Sequence, residues 1–398
     1  MIFLKMAHDG IDLLPLQERI EQEVVKYPHN AAALLDSAAL TFLKGSDATG
    51  AMEFVKGVNV LGQKRQQAAF EQSVFFTVRE SAAPTLRVLA LAAPGEVNCN
   101  APIEFLLQND DIETTFWYVL PDRQDEGAVP EHDIAVVISD LSDSSKETAD
   151  RIQKMEQSWP KPLINRIENL QKFARDRFFS FAKGIAGIYI PETRVVSRTD
   201  AMPFPYPFII RPLHSFGGHG LSKIEKQSDL ESYLETHFES QFFTSPFIDY
   251  SSSDGLFRKY RIAVVDGKAF PVHMAINEKW ALWYYSSGML ESEEKIAEEV
   301  NFLLNFDTSG LGKKYGAAIE QLAKKIGSEY FVLDCAETKT GELLIFEGGH
   351  DMVVHDMESP TRFPVKNEKM QELFRAFQTM LKDRYLCSIQ KTGKRPSK

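Results

Sequence analysis

Two short stretches hold the residues best suited to chemistry. In "VLDCAETKTGELLIFEGGHD", residues 332–351, each of two apolar runs carries one acid, Asp334 and Glu347. The runs read as two short β-strands around the turn signal Thr340-Gly341. With the turn at the midpoint the acids become direct cross-strand partners. The two-residue period of a strand then puts both on one face, with Cβ atoms about 5 Å apart. Like charges so placed repel unless a cation lies between them, so the hairpin calls for a positive partner. A one-residue slip would send the acids to opposite faces, which makes the register decisive.

The second stretch is "IIRPLHSFGGHGLSKI", residues 209–224. Arg211 ends an apolar strand, and Gly217, Gly218 and Gly220 follow in the loop. Glycines let backbone N–H groups turn inward around phosphate oxygens, and a guanidinium adds charge and a bidentate fork. A plain tight turn has the same composition. The pattern is neither a P-loop nor a Rossmann fingerprint, because no Gly-Lys-Ser/Thr follows and the loop joins two strands.

Other elements must position these residues. Residues 11–80 read as helices: Leu13, Leu16, Ile20 and Val24 share one face, and Leu35, Ala39 and Phe42 line the next before Gly45. A third helix is expected from about Asp47, with Ala51, Val55 and Val58 inward. The spacing resembles one tetratricopeptide-type helix pair, which cannot bury its own face, and a plain helical cap is the equal alternative. After Pro84, "TLRVLALAAPG", "TTFWYVL" and "DIAVVIS" read as strands and "SKETADRIQKMEQSW" as an amphipathic helix. Strands alternating with helices predict a small α/β unit with a mainly parallel sheet over 84–165. Past residue 243 the pattern turns antiparallel, with Asp266-Gly267 as a two-residue hairpin signal. A helix with Tyr315, Ile319, Leu322 and Ile326 on one face precedes the acidic hairpin.

Composition narrows the function classes. The chain has 398 residues, 43% hydrophobic, a length that suggests about two to four structural units. Its net charge of −11 supplies no basic field for nucleic acid or an anionic membrane. The basic tail "KTGKRPSK" reads as a frayed terminus. Three widely spaced cysteines argue against a disulfide framework or a zinc site. No apolar run reaches the roughly 18 residues of a membrane span, and "MIFLKMAHDG" is too short for a signal peptide, so a cytoplasmic setting is expected.

A Gly-rich loop, a strand carrying Arg261 and then the acidic hairpin is an order that resembles the ATP-grasp carboxylate–amine ligases, closest to the ribosomal-S6 glutamate-ligase-like branch. The resemblance spans roughly 160–360. It implies an α+β ATP-grasp fold that follows the helical domain of 1–83: a pre-ATP-grasp α/β domain over 84–165, a small subdomain over 166–242 and a large one over 243–398. "FARDRFFSFAKGIAGIYIPET" matches the branch's helix and following strand, with Arg177 where a phosphate-contacting lysine is usual. Arg211 replaces a second lysine, and Ser215, Phe216, Gly217, Gly218 and Gly220 fall on the phosphate flap. "SPFIDY" resembles the adenine linker, placing Phe247 and Ile248 on the base and Asp249 on the ribose. "KYRIAVVDGKAF" keeps Arg261 for chemistry but has Lys259 where the family has an acid, a position open to contact with an acyl phosphate. By the same resemblance Asp334 and Glu347 hold Mg²⁺, with Gly349 where an asparagine ligand is usual. ATP and Mg²⁺ are thus the implied cofactors. The implied reaction joins a small-molecule or peptide carboxylate to an amine through an acyl phosphate. The N-terminal helices would offer a surface to a peptide or protein, and a homodimer is compatible. A catalytically silent ATP-binding scaffold and an ATP-grasp kinase are the alternative readings.

Overall fold

A computed structural model describes residues 2–46, 52–123, 127–213, 215 and 218–392. The chain forms two compact units, Met1–Ile167 with Val353–Arg362 and Phe374–Lys398, and Glu168–Met352 with Phe363–Leu373. Residues 374–392 group with the first unit and residues 243–352 with the second.

In the first unit the helices Leu14–Lys26, Ala31–Ser46 and Met52–Gln72 follow the apolar periodicity, with a further short helix Ile2–His8. Gly62 lies where a Cβ would come within 2.5 Å of the Phe42 ring, so glycine permits the close approach of the two longer helices. Ala51 lies outside the described residues, as do the side chains of Val55 and Val58. The expected helical run ends early: β1 (Phe75–Arg79) is an edge strand. It pairs antiparallel with β3 (Ile112–Tyr118), while β2 (Leu86–Ala92), β3, β4 (Ile134–Val137) and β5 (Leu163–Ile164) run parallel in the order β1-β3-β2-β4-β5. The central strand β2 is apolar almost throughout and buried, as expected of a parallel strand covered on both faces.

The second unit holds two sheets. Strands β7 (Arg194–Ser197), β8 (Phe208–Pro212), β9 (Ser222–Ile224) and β10 (Gln241–Pro246) form an antiparallel sheet in the order β7-β10-β8-β9. Phe208, Ile210, Ile224 and Phe242 pack on Leu230 and Tyr233 of the helix Gln227–Thr236. That leaves the alternate residues Ile209, Arg211 and Phe243 to face the other way. The second sheet runs β12-β11-β13-β14-β6, from β6 (Ile188–Tyr189), β11 (Phe257–Val265), β12 (Lys268–Asn277), β13 (Tyr330–Glu337) and β14 (Leu343–Gly349). Its β11–β12 hairpin turns at Asp266-Gly267, both at positive φ as a tight two-residue turn requires. The helix Leu311–Ile326 buries Tyr315, Ile319, Leu322 and Ile326 as its period predicts.

Candidate functional site

The acids meet as their spacing suggests, but by an indirect route. Near the turn Glu337 pairs with Leu343 and Cys335 with Ile345, one residue off the register of a midpoint turn. The register then shifts so that Phe346 and Glu347 together face Asp334. A bulge of this kind re-aims side chains locally, and here both Phe346 and Glu347 line a cavity of about 200 Å³.

Each acid has already found cations within the protein. Across the next strand pair, Arg261 lies opposite Asp334. Its Nε donates to Oδ1 at 2.8 Å and its Nη2 to Oδ2 at 3.1 Å, a bidentate fork. The Lys259 ammonium sits 2.9 Å from the same Oδ2. Glu347 Oε2 accepts from Arg175 at 2.5 Å. Burial pushes the Asp334 pKa up, but Arg261 and then Lys259 outweigh it and hold the carboxyl below its ordinary range. Glu347 follows the same pattern: burial raises its pKa, and Arg175 brings it below the usual value.

Arg211 differs. It is 8% exposed, and among the described residues its guanidinium bonds only to Ser215, from Nε to Oγ at 3.0 Å and from Nη2 to the carbonyl oxygen. Burial, and then the nearby Arg175, pull its pKa down to about 10. Arg175, Arg211, Lys259 and Glu347 all line the cavity. Apolar and aromatic side chains make up most of the rest of its wall, Phe243, Phe247, Ile248, Tyr250, Trp283 and Phe346 among them. Gly218, at φ +76°, touches this wall, since a Cβ there would fall 1.9 Å from Trp283 Cζ2.

The other residues singled out in the sequence fall as follows. Phe247, Ile248 and Gly218 line the cavity, and Ser215 braces Arg211. Gly220, at φ +67°, packs against the Pro212 ring without lining the cavity. Asp249 is exposed and paired with Lys339 at 2.6 Å, the contact that holds its pKa down to about 2. It belongs to a surface ion pair, not to the cavity wall. Arg177 is exposed and outside the wall, whereas Arg175, two residues earlier, lines it. Phe216 and Gly217 lie outside the described residues. Arg261 and Asp334 are not in the cavity wall, though Lys259, bonded to Asp334, is. Arg175 and the aromatic wall beyond Phe247, namely Phe243, Tyr250, Trp283 and Phe346, were missed. The only hint for Arg175 is that "RDR" offers two arginines, and choosing between them needs the helix phase.

The acid pair does not fit a divalent ion as the side chains stand. Both Asp334 oxygens are taken by Arg261 and Lys259, and the carboxyl is 1% exposed. No group of three His, Cys, Asp or Glu residues able to hold a metal occurs among the described residues. Gly349, at the expected asparagine position, has no positive φ, and a Cβ there would come 2.5 Å from Asp351 Oδ1. A larger cavity of about 590 Å³ in the first unit is lined by Asp36, Glu96 and Glu104 against one cation, Arg79, a poor match for phosphate.

No helix among the described residues is long and apolar enough to cross a membrane. No family model and no curated protein matches the chain. Among solved structures it is similar to a RimK-domain ATP-grasp protein from Sphaerobacter thermophilus, at 16% identity and TM-score 0.45, over 75% of this chain and 99% of that one. It is similar to the D-alanine–D-alanine ligase of Bacillus anthracis complexed with ATP, at 13% identity and TM-score 0.45, over 78% of this chain and all of that one. A third likeness, at 10% identity and TM-score 0.44, is to the ATP-grasp ligase PsnB complexed with minimal precursor, Mg and ADP, over 73% and 98% of the two chains.

Proposed function

We propose that the cavity of the second unit binds ATP and that the protein is an ATP-dependent carboxylate–amine ligase. The observation that carries the nucleotide reading is Arg211, a buried cation with no carboxylate partner among the described residues, at the cationic end of a cavity with aromatic walls. A buried charge without a counter-charge is costly, and a polyphosphate bound beside Arg175, Arg211 and Lys259 would offset that cost. The aromatic walls suit the flat face of a purine. The order of Gly-rich loop, Arg261 strand and acidic hairpin along the chain supports the ligase chemistry.

In this reaction a substrate carboxylate oxygen attacks the γ-phosphorus, and ADP leaves. The amine nitrogen of a second substrate then attacks the acyl carbon, phosphate leaves, and an amide forms. Arg175, Arg211 and Lys259 would hold the phosphates and neutralise charge as it shifts to the leaving groups. Arg261, through Asp334, would fix the Lys259 ammonium at the cavity edge. ADP release from mixtures of amino acids and peptides, with mass spectrometry of the products, tests the reading. ADP formed only when both an acid and an amine are present supports it. ADP formed without an amine would mean a kinase, and no ADP with any pair would mean a silent scaffold.

A further inference from the structure

We infer that the Lys259 ammonium serves as a built-in cation on the phosphates, so that this site binds a nucleoside triphosphate without a divalent ion. The inference rests on the nucleotide reading above. Lys259 and Arg261 are two residues apart on β11 and so project from the same face, beside Asp334 of the adjoining β13, which in turn pairs with Glu347 of β14. The ammonium is 2.9 Å from Asp334 Oδ2, and its charge also acts on Glu347. It therefore supplies positive charge directly on Asp334 and at longer range on Glu347, which Arg175 pairs. An ammonium has three N–H donors, and the Lys259 side chain both bonds Asp334 and lines the cavity, leaving donors for a ligand oxygen.

A metal ion seeking Asp334 would have to displace two cations from a carboxylate that is 1% exposed, and would leave the Arg261 fork without its acid. With Arg175, Arg211, Lys259 and Arg261 set against Asp334 and Glu347, the site has more positive than negative side chains before any ion arrives. Removing Lys259 need not unfold the chain, because Arg261 still pairs with Asp334.

Calorimetric titration of ATP into the full chain, in EDTA and in Mg²⁺, tests the inference. The wild type should bind in EDTA within about threefold of its affinity in Mg²⁺. Lys259→Met should weaken binding in EDTA by about tenfold or more, the scale of one lost charge-assisted contact. Lys259→Arg should keep binding in EDTA, and Lys259→Asp should make binding depend on Mg²⁺. Wild-type binding that vanishes in EDTA but persists in Mg²⁺ would overturn the inference and leave the nucleotide reading standing. So would a Lys259→Met protein that binds in EDTA as tightly as wild type. Failure to bind in either condition would overturn the nucleotide reading, and this inference with it.

Discussion

Two arginines of the second unit, one on each sheet, differ in what they pair with. Arg261 on β11 is forked onto Asp334, and the pair is reinforced by Lys259. Burial pulls its pKa down, but Asp334 outweighs that and holds it above the ordinary value. Arg211 on β8 is the more deeply buried of the two, yet its partners are the hydroxyl and carbonyl of Ser215, and burial leaves its pKa lowered to about 10. The first arginine has its counter-charge built into the fold, whereas the second has room for one to arrive. Pairing, more than residue type or depth, separates a structural cation from a binding one.

The contrast is broken most severely by removing Asp334. Asp334→Ala would leave Arg261 and Lys259 without their acid in a buried place, and loss of one partner of a buried pair costs about 3–5 kcal/mol. Urea unfolding should show this as a large fall in the midpoint. A stability close to wild type would mean that Arg261 finds another acid or reaches solvent.

Acid should act on the same pair. The Asp334 and Glu347 pKa values are both lowered in the fold. Such carboxyls contribute stability above their unfolded values of about 4, and the contribution is lost as pH falls through that point toward their lower folded values. Stability of the second unit should thus decline below about pH 4, and the decline should be shallower in Asp334→Asn, which has one such carboxyl fewer. Identical pH profiles for the two proteins would argue that other carboxyls dominate.

Arg211 should behave in the opposite way. Arg211→Met keeps much of the apolar stem but deletes an uncompensated charge, so stability should change by less than about 1 kcal/mol, while ATP affinity should fall by roughly tenfold or more. A large loss of stability with unchanged ATP affinity would reverse the assignments of the two arginines.

The difference between the arginines also marks what the sequence reveals. Strand content, the Asp266-Gly267 hairpin and the apolar face of Leu311–Ile326 are local signals, and they were legible. The Asp334–Glu347 pairing was legible too, although the Phe346 bulge that produces it leaves no compositional mark. β1 has a local strand signal in its aromatic and β-branched run "FFTV", which the helical expectation over 11–80 overrode, and pairing with β3 some 35 residues later completes it. The Lys259 contact with Asp334 needs the register of β11 on β13, which neither strand specifies alone.

The smallest expected effect comes from the two arginines of "RDR". Arg175 is half-buried, bonds Glu347 and lines the cavity, while Arg177 points away and is exposed. Both lie on the helix Arg175–Ala182, where residues two apart face different directions. Arg175→Ala should weaken ATP binding, though less than Arg211→Met, because Arg175 already spends part of its charge on Glu347. Arg177→Ala should leave stability within about 0.5 kcal/mol of wild type, as surface substitutions usually do. It should also leave ATP affinity unchanged. Parallel titrations of the two variants decide the matter. If Arg177→Ala weakens binding and Arg175→Ala does not, the helix Arg175–Ala182 is rotated so that Arg177 faces the cavity, and Glu347 must draw its counter-charge from Lys259.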